Sequence, residues 1–257
     1  MRAILPVARL SLSCLLLSAP LAAQNPALRD PQALAVLQQA FTAVGGGALS
    51  TVTDIRAEYS VKEYRKASPI QYTTTLKILD RSTWRLEAED ARGMSHSVFR
   101  RSQMQTRWPT GELRSQPSIS LAGAGIWLIP ALTAVSDYQD PQVELEYEGL
   151  QAESRLLKVV LQQHPKDTSL AEVMKPIEVY VDPGTLLPVK MAFSIHPPEN
   201  LLTDIPVEVG YRDYRNVSGL LVPSLVFYSV DGQLVREYKL VSFAVNVGLD
   251  EKEFKLR

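Results

Sequence analysis

The side chains best suited to acid–base or metal chemistry in this 257-residue chain are three histidines, His96, His164 and His196. For metal binding or general-base catalysis, a histidine needs a partner group close beside it. The three lie on separate predicted strands or at strand ends, and none has a partner at metal-ligand spacing. We therefore expect each at the surface or rim of a sheet, and we predict no metal site and no cofactor.

Other catalytic patterns are weak. The chain has no Gly-x-Ser-x-Gly elbow, no His-Glu-x-x-His motif and no glycine-rich loop that opens a helix after a strand. The carboxylates Glu144, Glu146 and Glu148 could in principle supply a pair for glycosidic chemistry. They alternate with apolar residues, however, which is typical of the solvated face of a strand. Asn216–Ser218 matches a glycosylation sequon, but a turn explains it equally well. We predict no catalytic residues and no enzymatic activity.

The N-terminus has the pattern of a secretory signal peptide. Arg2 and Arg9 form a basic region, Leu10–Leu17 an apolar core, and Ala19–Ala23 a small-residue cleavage site. We predict cleavage after Ala23, so that residues 1–23 are removed and residues 24–257 form one periplasmic domain. The single cysteine, Cys14, lies inside the apolar core, so the mature protein has no disulfide and no thiol nucleophile.

The charge distribution excludes one class of partner and suggests another. The formal charge is −1, and loss of Arg2 and Arg9 makes it about −3, which is too mild for a nucleic-acid-binding protein. Seven arginines nevertheless lie between Arg81 and Arg114. They form either a solvated sheet face or a docking surface for an anionic membrane or an envelope protein. We predict Arg100 and Arg101 as partner-docking residues.

Period-two alternation of apolar and polar residues dominates the chain. It runs through Ile55–Val61, Ile70–Ile78, Ile177–Val181 and Ile205–Tyr211. Asp231-Gly232 separates two further runs and is well suited to a type I′ hairpin. Alternation sustained over this length predicts a large antiparallel sheet with one buried face.

Two apolar segments must cover that face. Asp30 and Pro31 are a helix start, and Leu34, Leu37, Phe41 and Val44 follow at helical spacing until three glycines end the helix. The second segment, Leu121–Val135, is apolar nearly all round but is interrupted by two glycines and Pro130. It is too short and too broken to span a membrane. We predict a kinked helix or helix–loop that acts as a lid over the sheet.

This order of elements resembles the LolA/LppX-like superfamily of exported lipoprotein and lipid carriers. Three segments carry the resemblance: Val179–Lys190 with its Asp-containing turn before a Leu-Pro, Tyr211–Pro223, and the closing segment Val245–Phe254. The resemblance implies a mainly β (α+β) fold. Its core is a curved antiparallel half-barrel of about ten or eleven strands, covered by the N-terminal amphipathic helix and the midchain helical lid.

The resemblance also implies a function, namely carriage of a lipid or an acylated protein on the concave face, by a monomer. The alternative is an envelope regulatory or structural module on the same fold that binds a protein partner. Apolar and aromatic residues of the strands and of the lid are the predicted lining of the ligand cavity: Tyr59, Leu76, Trp84, Phe99, Trp127, Leu128 and Leu132.

Overall fold

The computed structural model describes residues 27–65, 67–80, 82–100, 103–117, 127–163, 174–197 and 199–256. Within them lie thirteen strands: β1 (Ile55–Glu63), β2 (Ile70–Asp80), β3 (Thr83–Asp90), β4 (Gly93–Arg100), β5 (Gln103–Arg107), β6 (Leu113–Pro117), β7 (Val143–Leu150), β8 (Leu157–Gln163), β9 (Ile177–Val181), β10 (Pro188–Ile195), β11 (Ile205–Val217), β12 (Leu220–Val230) and β13 (Gln233–Val245). Helices are few: α1 (Pro31–Ala43), α2 (Ala134–Asp137) and 3-10 helices at Gly46–Thr51, Pro130–Leu132 and Glu251–Phe254.

All thirteen strands form one open antiparallel sheet, in the order β6-β5-β4-β3-β2-β1-β13-β12-β11-β10-β9-β8-β7. The mainly β class is confirmed. The strand count exceeds the ten or eleven predicted, and the short segment Leu113–Pro117, which lacks clear alternation, pairs with β5 as the edge strand β6. The first and last strands in sequence meet in the middle of the sheet, where β1 pairs with β13.

Alternation along the strands separates an inner face from an outer face. On β1, Ala57, Tyr59 and Val61 are buried on the inner face, whereas Arg56 and Glu58 lie on the outer face. The register continues this division across the sheet, since Tyr59 lies opposite Leu240. The inner-face residues of β1, β2 and β7–β13 form one core cluster with α1 and the midchain segment.

Helix α1 begins as the sequence predicts. The Asp30 side chain caps it by accepting hydrogen bonds from the backbone N–H groups of Gln32 (2.6 Å) and Ala33 (3.3 Å). The chain leaves the helix through Gly45, whose φ of 81° is left-handed. The buried positions of α1 are Ala33, Val36, Leu37 and Ala40. The buried face of the helix is therefore rotated slightly from the predicted apolar stripe, and it includes two alanines.

The midchain segment Trp127–Asp137, here called the insert, lies over the inner face. Its 3-10 helix and α2 are separated by Thr133, whose φ of −112° and ψ of −148° are not helical. Leu128, Ile129 and Val135 of the insert are almost wholly buried. The described part is therefore a broken helical run packed on the sheet, and residues 121–126 of the predicted lid lie outside the described residues.

The C-terminal 3-10 helix packs on the outer face, over β3 and β4. It begins with a capping box formed by Asp250 and Glu253. Phe254 is only 2% exposed, and with Val98 of β4 it lies outside the main core cluster. Among the helices that the structure describes, none combines the length and the apolar character needed to cross a bilayer. The predicted signal peptide, residues 1–23, lies outside the described residues.

Candidate functional site

An aromatic cluster joins the insert to the middle of the inner face. The Trp127 ring stacks on Tyr228 with 4.8 Å between centroids and meets Tyr238 edge-on at 5.0 Å. Tyr238 in turn meets Tyr59 edge-on at 6.1 Å. Such pairs add about 0.5–1.5 kcal/mol each to the free energy from burial alone. The Tyr211 hydroxyl also donates a hydrogen bond to the Trp127 carbonyl at 2.8 Å.

The larger of two inner-face cavities has a volume of about 590 Å³. Three elements wall it: the end of α1 with the following 3-10 helix, the insert, and the paired ends of β1 and β2. Its wall is mainly apolar and includes Phe41, Leu49, Val52, Ile55, Ile78 and Leu132. Cavities of this size and lining are typical of small-molecule and acyl-chain sites. We call it the apolar cavity.

One buried carboxylate lies at the wall of the apolar cavity. Asp54, 4% exposed, accepts hydrogen bonds from the backbone N–H groups of Val247 (2.8 Å) and Gly248 (3.0 Å) and from the Thr53 hydroxyl (3.2 Å). These three donors satisfy the carboxylate, so its role is to fix the C-terminal chain against the start of β1.

A second, polar cavity of about 320 Å³ lies on the same face at the opposite ends of β1 and β2. Glu63 is its central group and pairs with Arg236 (3.2 Å) and Arg65 (2.8 Å). The Tyr72 hydroxyl donates to Glu63 at 3.2 Å, and burial raises its pKa well above the ordinary value. Tyr238 lies at the boundary, because it both lines this cavity and contacts Trp127.

The seven predicted lining residues all lie on the inner face or in the insert, but only one of them lines either of these cavities. Leu132 lines the apolar cavity. Tyr59, Leu76 and Leu128 are buried in the core cluster between the two cavities, and Trp127 belongs to the aromatic cluster. Trp84 stacks on Phe99 with 5.4 Å between centroids on the inner side of β3 and β4. Lining of a ligand cavity by these residues stays a prediction.

The predicted arginine surface is divided among several places. Arg100 lies on the outer face and pairs with Glu251 at 3.0 Å, whereas Arg101 lies outside the described residues. Arg85 and Arg107 are also on the outer face, but Arg92 lines the polar inner cavity. The docking role of Arg100 and Arg101 stays a prediction.

The histidines do not form a metal or catalytic site in the part of the chain that the structure describes. His96 is on the outer face of β4, and His164 is outside the described residues. His196 is 2% exposed, with Nδ1 3.4 Å from an Asp204 oxygen, and is therefore buried instead of exposed at the rim as predicted. No three His, Cys, Asp or Glu side chains among the described residues are grouped so that they could hold a metal ion.

Several residues of the apolar cavity were missed by sequence reasoning. Leu49, Val52 and Leu79 come from a 3-10 helix, a loop and a strand end, none of which has a periodic pattern. Phe41 and Ile78 were identified on their stripes, and the structure places both in the wall of the apolar cavity. Tyr228 and Tyr238 lie at inner-face positions of the strand alternation. Their aromatic side chains at these positions were the signal by which the sequence could have identified them.

Comparison with known proteins bears on the fold. No protein-family model and no curated protein matches the chain. An outer membrane lipoprotein-sorting protein domain from Vibrio parahaemolyticus is similar in structure, with a TM-score of 0.56, 12% identity, and coverage of 87% of this chain and 96% of that one. A LolA superfamily protein from Nitrosomonas europaea gives a TM-score of 0.57, 10% identity, and coverage of 87% and 97%.

A third solved structure, a DUF1329 family protein from Desulfovibrio piger, gives a TM-score of 0.54 at 11% identity, covering 87% of this chain and 97% of that one. At such low identities the likeness concerns the fold and not the ligand. The likeness extends over nearly the whole length of each of these solved structures. The chain therefore has the LolA-like fold that its element order resembles.

Proposed function

We propose that this protein is a periplasmic carrier or binding protein for an acyl chain of a lipid or lipoprotein, held in the apolar cavity. The observation that supports it best is the 590 Å³ cavity between α1, the insert and the sheet. We infer that the mature protein is one domain starting at Gln24 and that it has no catalytic activity of its own. The Vibrio parahaemolyticus relative is named as a lipoprotein-sorting domain, and this name supports the same ligand class.

Burial of the acyl chain is the physical task of such a carrier. Exposure of a sixteen-carbon chain to water costs about 0.8 kcal/mol per methylene, or roughly 13 kcal/mol in all. A protein that moves this chain through an aqueous compartment must remove that surface from water. A mainly apolar wall does so without placing unpaired polar groups against the chain.

Release requires that the cover over the cavity can open without unfolding the sheet. The insert is held to the strands by side-chain contacts: the Trp127 stack, the Tyr211 hydrogen bond, and contacts such as Gln163 Nε2 to Asp137 Oδ2 at 3.3 Å. It makes no ladder of backbone hydrogen bonds with the strands among the described residues. Segments attached in this way open at a lower free energy than the strands beneath them.

Uptake of an apolar fluorophore tests the proposal. Leu132→Asp places a charge in the wall of the apolar cavity, and we expect it to weaken uptake at least tenfold. The matched control is Leu234→Asp on β13, because Leu234 is already 39% exposed and lines neither cavity. Thermal unfolding of both variants confirms that the fold is kept. Equal uptake by the two variants would disprove the apolar cavity as the site.

The alternative function is that of an envelope interaction module, with Arg100 and Arg101 as its docking residues. The location of Arg100 on the outer face, where its partner Glu251 is exposed, favours access by another protein. Capture of a partner should then be lost in Arg100→Glu/Arg101→Glu, while uptake of the fluorophore is unchanged. Capture that survives both substitutions would remove these residues from the interface.

A further inference from the structure

A second group of reactive side chains lies on the outer face, on the other side of the sheet from the apolar cavity. Arg85, His96 and Arg107 come from the neighbouring strands β3, β4 and β5. Together with Lys252, Lys255 and Leu256 of the C-terminal segment, they line a cavity of about 250 Å³. We call it the basic pocket, because its lining contains four permanent cations and no carboxylate.

Arg85 lines the basic pocket, and three contacts fix the position of its guanidinium group. Its Nε lies 2.7 Å from a Glu87 oxygen, Nη1 donates to the Glu253 carbonyl at 2.7 Å, and Nη2 contacts His96 Nδ1 at 2.8 Å. A guanidinium can only donate hydrogen bonds, so His96 Nδ1 accepts and the ring proton resides on Nε2. His96 is thus a neutral ring with one free N–H donor. Burial, and then the charge of Arg85, lower its pKa.

The charge of Arg107 has no paired carboxylate in the described chain. Arg107 Nε is buried with no hydrogen-bond partner among the described residues, and its Nη1 makes only a long contact of 3.3 Å to the Gly111 carbonyl. In the described chain, no carboxylate comes within ion-pairing distance of Arg107 or Lys255. Lys252 has a loose partner, Asp250, at 3.7 Å. Arg107 is partly buried, so its lack of a counter-charge is costly, whereas Lys252 and Lys255 are exposed at the rim of the pocket. An anion in the pocket would offset the cost at Arg107.

We propose that the basic pocket binds a phosphate group. A carboxylate brings one charge and two oxygens, whereas the pocket presents the partly buried Arg107, the exposed Lys252 and Lys255, and the His96 Nε2–H around one cavity. A phosphate group supplies up to two charges and several acceptor oxygens, and arginine matches its geometry with two parallel hydrogen bonds. This site is separate from the acyl cavity and does not depend on the proposed carriage.

Nuclear magnetic resonance of the His96 ring tests the proposal directly. The signal is assigned by its disappearance in His96→Gln, and inorganic phosphate is titrated at neutral pH against chloride at matched ionic strength. We expect a saturable shift of the His96 ring signals with phosphate only. Loss of a charged hydrogen bond should weaken the affinity about tenfold or more in Arg107→Gln. The matched control, Arg56→Gln on the outer face of β1, should bind as the wild type does.

Two further experiments distinguish a soluble phosphate ester from a lipid headgroup as the source of the phosphate group. Glycerol 3-phosphate represents a soluble ligand, and vesicles of phosphatidylglycerol in phosphatidylcholine represent a lipid headgroup. Saturable binding of the soluble ester, or flotation with the vesicles, supports the site if Arg107→Gln weakens it and Arg56→Gln does not. A shift that is linear, equal in chloride or unchanged in Arg107→Gln would overturn the proposal, as would flotation that both variants reduce equally.

Discussion

The indole of Trp127 stacks on the phenol ring of Tyr228, with 4.8 Å between the ring centroids and 27° between the planes. Trp127 is the first described residue of the insert, and Tyr228 lies on β12 in the middle of the sheet. This contact therefore fixes the start of the insert to the inner face. The other end is tied by β7, which directly follows the insert at the far edge of the sheet. Between these two attachments the insert forms one wall of the apolar cavity.

Trp127→Asp should detach the insert, because it replaces the stack with a charge that faces Tyr228 and Tyr238. We expect uptake of an apolar fluorophore to be abolished while the far-UV circular dichroism of the sheet is kept. The matched control is Trp108→Asp, since Trp108 is 40% exposed and does not line the apolar cavity. Uptake by Trp127→Asp at the wild-type level would show that the insert does not form the site.

Gly45→Ala should destabilise the junction between α1 and the sheet. Gly45 has a φ of 81°, and an added Cβ would lie 2.0 Å from the Gly219 carbonyl oxygen. We expect a loss of about 3 kcal/mol in the free energy of unfolding. Gly47→Ala is the control, because an added Cβ there meets nothing within 4 Å. Urea unfolding measures both, and equal stabilities would refute the close approach.

Asp54→Ala should destabilise the attachment of the C-terminal chain to the start of β1, at the wall of the apolar cavity. The substitution leaves the N–H groups of Val247 and Gly248 without their acceptor, which should cost about 3 kcal/mol of unfolding free energy. Glu58→Ala removes only a solvent-facing ion pair to Arg56 and should change stability by less than about 0.5 kcal/mol. If chemical denaturation finds the two variants equally stable, the Asp54 hydrogen bonds do not hold the C-terminal chain.

The polar inner cavity should make stability depend on acid pH through Glu63. Burial alone would raise the pKa of this carboxyl, but hydrogen bonds and charges from Arg65 and Arg236 outweigh burial and hold the pKa below its ordinary value of 4.5. A lowered folded-state pKa contributes stability above the ordinary value, and this contribution is lost as the pH falls through the folded-state pKa.

Glu63→Gln should therefore be less stable than the wild type at neutral pH, and the difference should shrink as the pH falls from about 5 to about 3. The measurement is a series of urea unfolding curves across this range. A stability difference that stays constant across this range would mean that Arg65 and Arg236 do not lower the pKa of Glu63 in the folded protein.

Sequence reasoning succeeded where the signal is local. The cap at Asp30 and the left-handed pair Asp231 (φ 50°) and Gly232 (φ 71°) are set by a few neighbouring residues, and both were predicted. Strand alternation likewise separates Tyr59 from Glu58 without any knowledge of the partner strands. The fold class follows from these local patterns taken together.

What could not be predicted depends on contacts between distant parts of the chain. Glu63 meets Arg236 only because β1 pairs with β13, a separation of 173 residues that no local pattern encodes. The basic pocket arises in the same way, since the C-terminal helix places Lys252 and Lys255 beside Arg107 of β5. The edge strand β6 was missed because it is only five residues long and ends in a proline, so that it shows no clear alternation.

The most direct test of acyl carriage is mass spectrometry of organic extracts from protein purified from the periplasm without detergent. The proposal predicts a near-stoichiometric lipid or acylated peptide in the wild type, retained by Leu234→Asp and depleted in Leu132→Asp. Protein that contains no acyl species, and that also fails to take up added lipid, would contradict it.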